Sequence, residues 1–450
     1  MNEDRRRRVK TLVVAAAVAV AFADSSIVVL ALPDLYSRFS TSIVGVSWVI
    51  TSYNLVLAGC AFALIPVIGR MDVGTLTRAG LILFFAGSVG AASSWSLPAL
   101  IVFRCVQGAG AAMLLAGSLA LLSALAGSQK RGLAVWVAAG TFGAALGPAL
   151  GGILTQLFDW RAIFAFQAPV ALAALIAAAE SHVHPRADSG GGGKRTPANV
   201  ALALLFGALV GALFLSVLLL VTAWGLSPIA GAAVLTVLPV AALAAHGLGR
   251  ELSARTSAIA GAILLAAGLA ALALLPAVSA GLVVVALALC GTGMGLAVPV
   301  LTRRAVAPGD GLVHDGTVTI GARHVGLVLA LVLVAPVLSS DLTHGARNAV
   351  LGGAKVLLDA NIPVRQEVPI VLGLRNAVGR APRGTVPNFA APFNAQGAAT
   401  NAGLREVRDS LVGAVRDALT RSFRRALALC ALLAALALIP ILLARRRGFA

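Results

Sequence analysis

The residues that could do chemistry in this sequence are four ionisable side chains inside long apolar runs: Asp24, Arg104, Arg323 and His324. A charged group at the centre of a bilayer costs at least about 2.5 kcal/mol, so such groups usually face a cavity and have a partner. Burial disfavours an ionised carboxylate and a nearby guanidinium favours it. A carboxylate under both influences can bind and release a proton. Asp24 is the carboxylate of this set.

Asp24 and Arg104 are expected at similar depths. Asp24 lies roughly nine residues from the outer end of its run, and Arg104 roughly six from the outer start of its own. At about 1.5 Å per residue, their depths differ by only about 4 or 5 Å. The two side chains could therefore meet, either as a pair that exchanges protons or as a permanent structural ion pair.

Arg323 and His324 are candidates for a site in the second half of the chain, near the cytoplasmic start of their run. Arg323 could instead extend to the membrane interface or pair with Asp315, one or two turns earlier. His324 could titrate near neutral pH or simply be hydrogen-bonded.

Composition indicates a polytopic membrane protein. The chain has 450 residues, of which 59% are hydrophobic and 12% charged, and its mean hydropathy is +0.95. Several runs exceed the roughly 18 to 20 apolar residues that span a bilayer. The net charge of +18 comes from Lys and Arg in short gaps between these runs. It therefore indicates topology rather than nucleic-acid binding.

The pattern predicts an all-α protein with about 12 transmembrane helices in two six-helix halves. A basic cytoplasmic N-terminus (1–10) precedes the first half (11–179), a Gly-rich basic linker (180–197) and the second half (198–450). Both termini are expected on the cytoplasmic side of the plasma membrane. The predicted spans are 11–33, 44–68, 79–92, 97–125, a fifth that contains 143–152, 163–179, 200–224, 229–246, 257–275, 281–301, 317–338 and 426–444.

The gap 339–425 is expected outside the membrane. Its part 352–396 is rich in Pro, Asn and Gly, which predicts irregular or partly mobile structure. From 401 to 425, apolar residues recur every three or four positions, which predicts an amphipathic helix. This helix could cap the outer mouth, lie on the membrane surface or lead into the last span.

A Gly-Pro segment, GAALGPALGG, lies in the fifth run. Gly143 and Gly147 are spaced for close helix packing in lipid. Pro148 removes a backbone donor, and Gly151 and Gly152 loosen the next turn. The segment predicts a bent, tightly packed helix.

Short motifs follow one another along the runs in a set order. They are 24–33 (DSSIVVLALP), 47–53 (SWVITSY), 100–110 (LIVFRCVQGAG), 143–152 (GAALGPALGG), 160–169 (WRAIFAFQAP), 291–299 (GTGMGLAVP) and 322–326 (ARHVG). Together they resemble the motifs of major facilitator superfamily transporters of the drug:proton antiporter branch, along the whole membrane region. The segment 143–152 resembles the antiporter motif of that family's fifth helix. Gln167 stands where the sixth-helix pattern commonly has Asn.

The resemblance implies the major facilitator fold and proton-coupled export of hydrophobic or amphiphilic molecules by rocking of the two halves. It implies Asp24 as the proton and cation site, modulated by Arg104. Tyr53, Gln107 and Phe142 are the candidates for the substrate cavity, although aromatic residues make up only 5% of the chain, which gives little support to an aromatic cage.

The same resemblance gives the Gly-Pro segment a mechanical role. Gly143, Gly147, Pro148 and Gly152 are expected to shape the contact between the halves and to restrict leak. Gly151 belongs to the same motif.

One family element is altered. The loop at 69–78, GRMDVGTLTR, is shorter than the family pattern and has fewer basic residues. Gly69, Arg70 and Asp72 are the remaining candidates for a cytoplasmic gate. The short segment GRE at 249–251 weakly resembles this loop, which supports two halves related as parallel repeats.

An alternative is a transporter-like scaffold that no longer cycles and binds a partner through 339–425; an importer or uniporter is a further possibility. We expect no catalytic residues, enzymatic activity, metal or cofactor, and a proton gradient as the driving force. The expected partners are a small-molecule substrate and the lipid bilayer, with no nucleic acid, and the protein is expected to be a monomer. The four cysteines lie in apolar runs without metal-ligand spacing and are expected to be packed thiols.

Overall fold

The computed structural model describes residues 3–179, 195–248, 251–276, 278–306, 308–309, 311–360, 363–380, 389–398 and 400–444. Within these ranges all regular structure is helical. The predicted linker at 180–197 falls outside them up to residue 194, as do 249–250 of the GRE segment and the basic residues 445–447.

The helices follow one another with short connections. They are α1 (Glu3–Val29), α2 (Leu32–Arg38), α3 (Ile43–Leu64), α4 (Val73–Ala92), α5 (Leu97–Leu125), α6 (Gln129–Leu157), α7 (Arg161–Ala179), α8 (Thr196–Val217), α9 (Pro228–Leu248), α10 (Ala254–Ala273), α11 (Ala280–Ala305), α12 (Leu312–Asp359), α13 (Val364–Arg380), α14 (Ala391–Ala395), α15 (Ala402–Ser422), α16 (Arg424–Leu436) and α17 (Leu438–Leu443). A 3₁₀ turn (Ile68–Arg70) precedes α4, and a π-helical segment (Leu218–Ala223) continues α8.

Eleven helices of the described chain are long and apolar enough to cross a membrane, and bent α6 raises the number to twelve. The bend in α6 is 44° and falls between Gly143 and Leu146. The predicted count and the all-α class are confirmed, and the bend lies in the Gly-Pro segment, just before Pro148.

Corresponding helices pack in corresponding ways in the two halves. In the first half α1 packs on α6 and α4 on α5; in the second half α8 packs on α12 and α10 on α11. The halves meet where α3 packs on α12 and α6 on α9. This correspondence is the arrangement that parallel repeats produce.

The segment between the last two spans differs from the prediction. The prediction of irregular structure in 352–396 is wrong for the described residues, because α12 continues to Asp359 and α13 and α14 follow. Apolar residues of α13 to α15 form a small core of their own, which stabilises helices that the Pro and Gly content argued against. Its buried members are Ile370, Phe393, Ala398, Leu404, Leu411, Val415 and Ala418.

The amphipathic helix predicted at 401–425 is confirmed as α15. Asn401 caps its start by accepting hydrogen bonds from the backbone of Gly403 and Leu404. Its apolar face covers the small core and packs on α12, and Phe423 connects it directly to α16. α15 thus leads directly into α16.

Candidate functional site

Asp24 and Arg104 form a buried ion pair between α1 and α5. Arg104 Nη1 donates to Asp24 Oδ1 at 2.8 Å, and Nη2 donates to Oδ2. The Nε of Arg104 donates to the Val49 carbonyl of α3 at 2.9 Å. Both charged side chains are fully buried. The structure thus brings together the two residues whose depths the sequence matched.

Amide and hydroxyl groups complete a polar network around this pair. Arg104 Nη1 donates to Gln107 Oε1 at 2.6 Å, and Gln107 Nε2 donates to Ser88 Oγ at 2.9 Å and to Gln167. Gln167 Nε2 in turn donates to Asp24 Oδ1 at 3.0 Å. The network therefore joins α1, α4, α5 and α7. Ser88 was missed by sequence reasoning, since a serine in an apolar run gives no distinct signal.

Aromatic rings cover the Arg104 guanidinium. Its Cζ lies 4.3 Å from the centroid of the Tyr53 ring and 5.5 Å from that of Phe164. The Tyr53 hydroxyl donates to the Ala21 carbonyl at 2.9 Å. The structure places Tyr53 and Gln107 in this sealed network and not in the wall of a cavity, which differs from the role expected for them.

A separate cavity of about 920 Å³ lies between the two halves. Its wall comes from α1, α6, α8, α9, α11 and α12. Phe142 lies in the wall, as expected, and so does Pro148. Ser25 and Ser26 also line the cavity, whereas the neighbouring Asp24 contacts α5 and α7 behind it.

The two second-half candidates also lie in the cavity wall. Arg323 Cζ is 4.5 Å from the ring centroid of Phe22 in α1 and 3.7 Å from that of Phe206 in α8. His324 Nδ1 is 2.8 Å from the Ile320 carbonyl, one turn earlier in α12. Arg323 therefore lies between the halves, against an aromatic ring of each.

Asp315 does not pair with Arg323. It forms an ion pair with Arg195 at the start of α8, and His314 Nδ1 lies 3.5 Å from its Oδ1. The possible Arg323–Asp315 pair is therefore absent from this structure. Sequence reasoning missed Arg195, because the residue lies at the edge of the Gly-rich linker.

Three glycines of the Gly-Pro segment pack α6 against α1 within the first half. A Cβ atom on Gly143 would overlap the Ala19 carbonyl, and one on Gly147 would overlap the Ser26 hydroxyl. Gly151 meets α1 in the same way one turn further on. Spacing of four residues places all three on one helix face, which lets the two backbones approach closely.

Of the glycines in this motif, Gly152 is the one that packs against the other half. A Cβ atom there would overlap the methyl group of Ala232 and lie 3.1 Å from the Pro228 carbonyl, both in α9. Gly143 and Gly147 were expected at the contact between halves, and the structure places them inside the first half instead. Pro148 faces the cavity.

The gate candidates lie between α3 and α4. Gly69 and Arg70 belong to the 3₁₀ turn. Asp72 caps α4, accepting hydrogen bonds from Thr75 Oγ1 at 2.6 Å and from its backbone N–H at 2.8 Å. These bonds, with Arg78 at 3.8 Å, hold the pKa of Asp72 below its ordinary value. Asp72 therefore acts within its own loop.

The same loop meets the second half through apolar contacts. Ile68, Leu76 and Ala116 are buried together, and Val313 at the start of α12 packs on them. This apolar contact joins the loop to the start of α12.

Comparison with known proteins adds a family match. Residues 14–306 match the family described as Major Facilitator Superfamily. The Methylenomycin A resistance protein of Bacillus subtilis is 35% identical over 170 residues, which cover 37% of this chain and 36% of that protein. The Multidrug resistance protein Stp of Mycobacterium tuberculosis is 35% identical over 155 residues, 33% of this chain and 28% of that protein. The chain thus matches about a third of these relatives' length.

Among solved structures, a bacterial homologue of the human lysosomal transporter Spinster, in an inward-facing and occupied conformation, shares the fold. The TM-score is 0.65 at 16% sequence identity, and the match covers 99% of each chain.

Proposed function

Because the chain belongs to the Major Facilitator Superfamily, we propose that it is a secondary active transporter that exports hydrophobic or amphiphilic small molecules in exchange for protons. The observation that carries this proposal is the cavity of about 920 Å³ between the two halves. A cavity of this size can hold a drug-sized molecule, and a site between repeats is what alternating access requires. Two of the relatives, by their names, confer resistance to methylenomycin A or to multiple drugs.

The direction of opening is inferred from charge. The cavity wall extends to Lys130 and Arg303, which lie at the end of the bundle rich in basic residues. By the positive-inside rule this end is cytoplasmic, and both termini of this multi-pass protein then lie in the cytoplasm. At the far end Gly152 packs against Ala232 of α9, and we infer that this contact closes the cavity. Rocking of the halves would separate α6 from α9 and open the outer side.

We assign proton exchange to Asp24. When Asp24 takes up a proton, Arg104 loses its counter-ion but keeps the Val49 carbonyl, the Gln107 oxygen and the Tyr53 ring as partners. These contacts limit the cost of the protonated state. Ser25 and Ser26, next in α1, line the cavity, so a movement of α1 that accompanies rocking can expose the carboxylate.

The test is transport by purified protein in liposomes with an imposed pH gradient. Export should concentrate a lipophilic compound on one side and should stop when a protonophore collapses the gradient. The outer segment, α13 to α15, is the feature that a scaffold would use. Absence of gradient-driven movement across a broad panel of cationic, neutral and anionic compounds would favour that alternative.

A further inference from the structure

The cavity wall is basic and, in its described part, contains no carboxylate. Lys130, Arg303 and Arg323 are its charged side chains, with His324 as a fourth ionisable group. The carboxylate nearest in sequence to the wall, Asp24, is held behind it by Arg104 and Gln167. The cavity that the proposed function uses is therefore positively charged.

Arg323 is the cation placed among the apolar surfaces of this cavity. Its guanidinium lies between the rings of Phe22 and Phe206, and its buried Nε has no hydrogen-bond partner in the described chain. None of the described carboxylates forms an ion pair with Arg323. Asp315, the partner considered from the sequence, pairs with Arg195 instead. Aromatic faces attract a cation but do not neutralise it. A partly buried cation that faces a cavity without a counter-ion favours the arrival of an anion.

We propose that the cavity binds amphiphilic organic anions, with the acidic group of the substrate on Arg323 and its apolar body against the aromatic and aliphatic wall. This inference rests on the proposed export function and names its substrate class. A guanidinium is suited to carboxylate and sulfonate oxygens because it offers two parallel donors. The apolar body has Phe142, Trp136 and Met294 as contacts. A lipophilic cation of the same size meets the same apolar wall but is repelled by Arg323.

The decisive comparison uses two probes of nearly the same shape and opposite charge. Equilibrium binding of tetraphenylborate and tetraphenylphosphonium is measured by calorimetry on the full-length protein in neutral detergent. Tetraphenylborate should bind at least about tenfold more tightly, since the attraction between opposite charges at close range inside a protein is worth at least this much. Equal or tighter binding of tetraphenylphosphonium would overturn the proposal.

Variants locate the effect. Arg323→Gln should weaken tetraphenylborate binding on the order of tenfold and remove most of the preference, because the attracting charge is lost. Arg323→Lys, which keeps the charge, should retain the preference, and the exposed Arg405→Gln in α15 is the control. Unchanged tetraphenylborate affinity in a folded Arg323→Gln protein would count against the assignment. If this variant does not fold, the probe comparison on the parent still decides.

Two further measurements distinguish the anion site from a lipid site and from the export function. The anionic lipid phosphatidylglycerol is added as a competitor, and displacement of tetraphenylborate at equal concentration would identify a lipid site instead of a small-molecule site. Because binding needs no gradient, an anion preference without gradient-driven transport would leave this inference intact and reject the export function. Gradient-driven transport without an anion preference would reject this inference and leave the export function intact.

Discussion

Arg104 of α5 donates hydrogen bonds to Asp24 of α1 from two guanidinium nitrogens, and neither side chain is exposed to solvent or to the cavity between the halves. Such a pair can serve as the proton site or can be a fixed structural element. The two roles differ in what happens when both charges are removed together.

Asp24→Asn should stop proton-driven transport and should also destabilise the protein, because Arg104 would remain buried without a counter-ion. The loss should be smaller than the about 3–5 kcal/mol of an unsupported buried charge, since Arg104 keeps its contacts with Val49, Gln107 and Tyr53. The measurements are transport in liposomes under a pH gradient and thermal unfolding in detergent.

The control is the double variant Asp24→Asn/Arg104→Met, which leaves no charge behind. It should recover most of the stability, since replacing both members of a buried pair is often close to neutral. Transport should stay absent. Recovery of gradient-driven transport in the double variant would show that the pair is structural only.

Gly147→Ala should impair transport, because the added methyl group would overlap the Ser26 hydroxyl and push α6 away from α1. The companion Ser26→Ala removes that hydroxyl, so Gly147→Ala/Ser26→Ala should recover part of the activity. The pH dependence of transport should be the same in all three variants, since neither residue is ionisable. A shifted pH profile in Gly147→Ala would contradict a purely mechanical role.

Gly152→Val should act on a different contact. The larger side chain would overlap Ala232 and keep α6 and α9 apart at the end of the bundle opposite Lys130 and Arg303. We expect the outer side of the cavity to become more accessible, which a cysteine in place of the exposed wall residue Phe142, on a cysteine-free background, would report through faster labelling by an impermeant thiol reagent. Unchanged labelling would argue that this contact does not close the cavity.

The sequence could predict the positions of the membrane spans and the depth of a residue within a span. Hydropathy located the spans, and residue spacing matched the depths of Asp24 and Arg104, which do meet. The sequence could not predict which neighbouring helix a side chain faces. Gly143 and Gly147 pack on α1 rather than on the other half, and Tyr53 and Gln107 lie in the buried network rather than at the cavity.

The prediction for 352–396 failed because local composition does not reveal tertiary packing. The Pro and Gly content of 352–396 argued against helices, but Ile370 and Phe393 pack beneath α15 and supply the burial that stabilises α13 and α14. Such support comes from residues distant in sequence, so a local pattern does not reveal it.

Asp72→Ala should destabilise the start of α4 by about 1 kcal/mol through loss of the cap. Because the folded-state pKa of Asp72 lies below the ordinary value of 3.8, its ionised form stabilises the fold above that pH. The contribution is lost as the pH falls through the lowered folded-state pKa. Asp72→Asn should keep the cap and lose this pH dependence. Urea unfolding in detergent at pH 7 and at acid pH measures both, and equal stability of Asp72→Ala and parent at pH 7 would reject the cap.

Thr420→Val should loosen the connection between the outer segment and the membrane bundle. Trp224, at the end of the π-helical segment, donates from Nε1 to Thr420 Oγ1 of α15 at 2.9 Å, and both residues are buried. Valine has nearly the shape of threonine but leaves the indole N–H without an acceptor, at a cost of about 1–3 kcal/mol. Thr420→Ser keeps the hydroxyl and is the matched control. We expect a lower unfolding temperature for Thr420→Val and faster proteolysis within α15, with Thr420→Ser close to the parent. Equal losses in both variants would mean that the threonine methyl group, and not its hydroxyl, makes the stabilising contact.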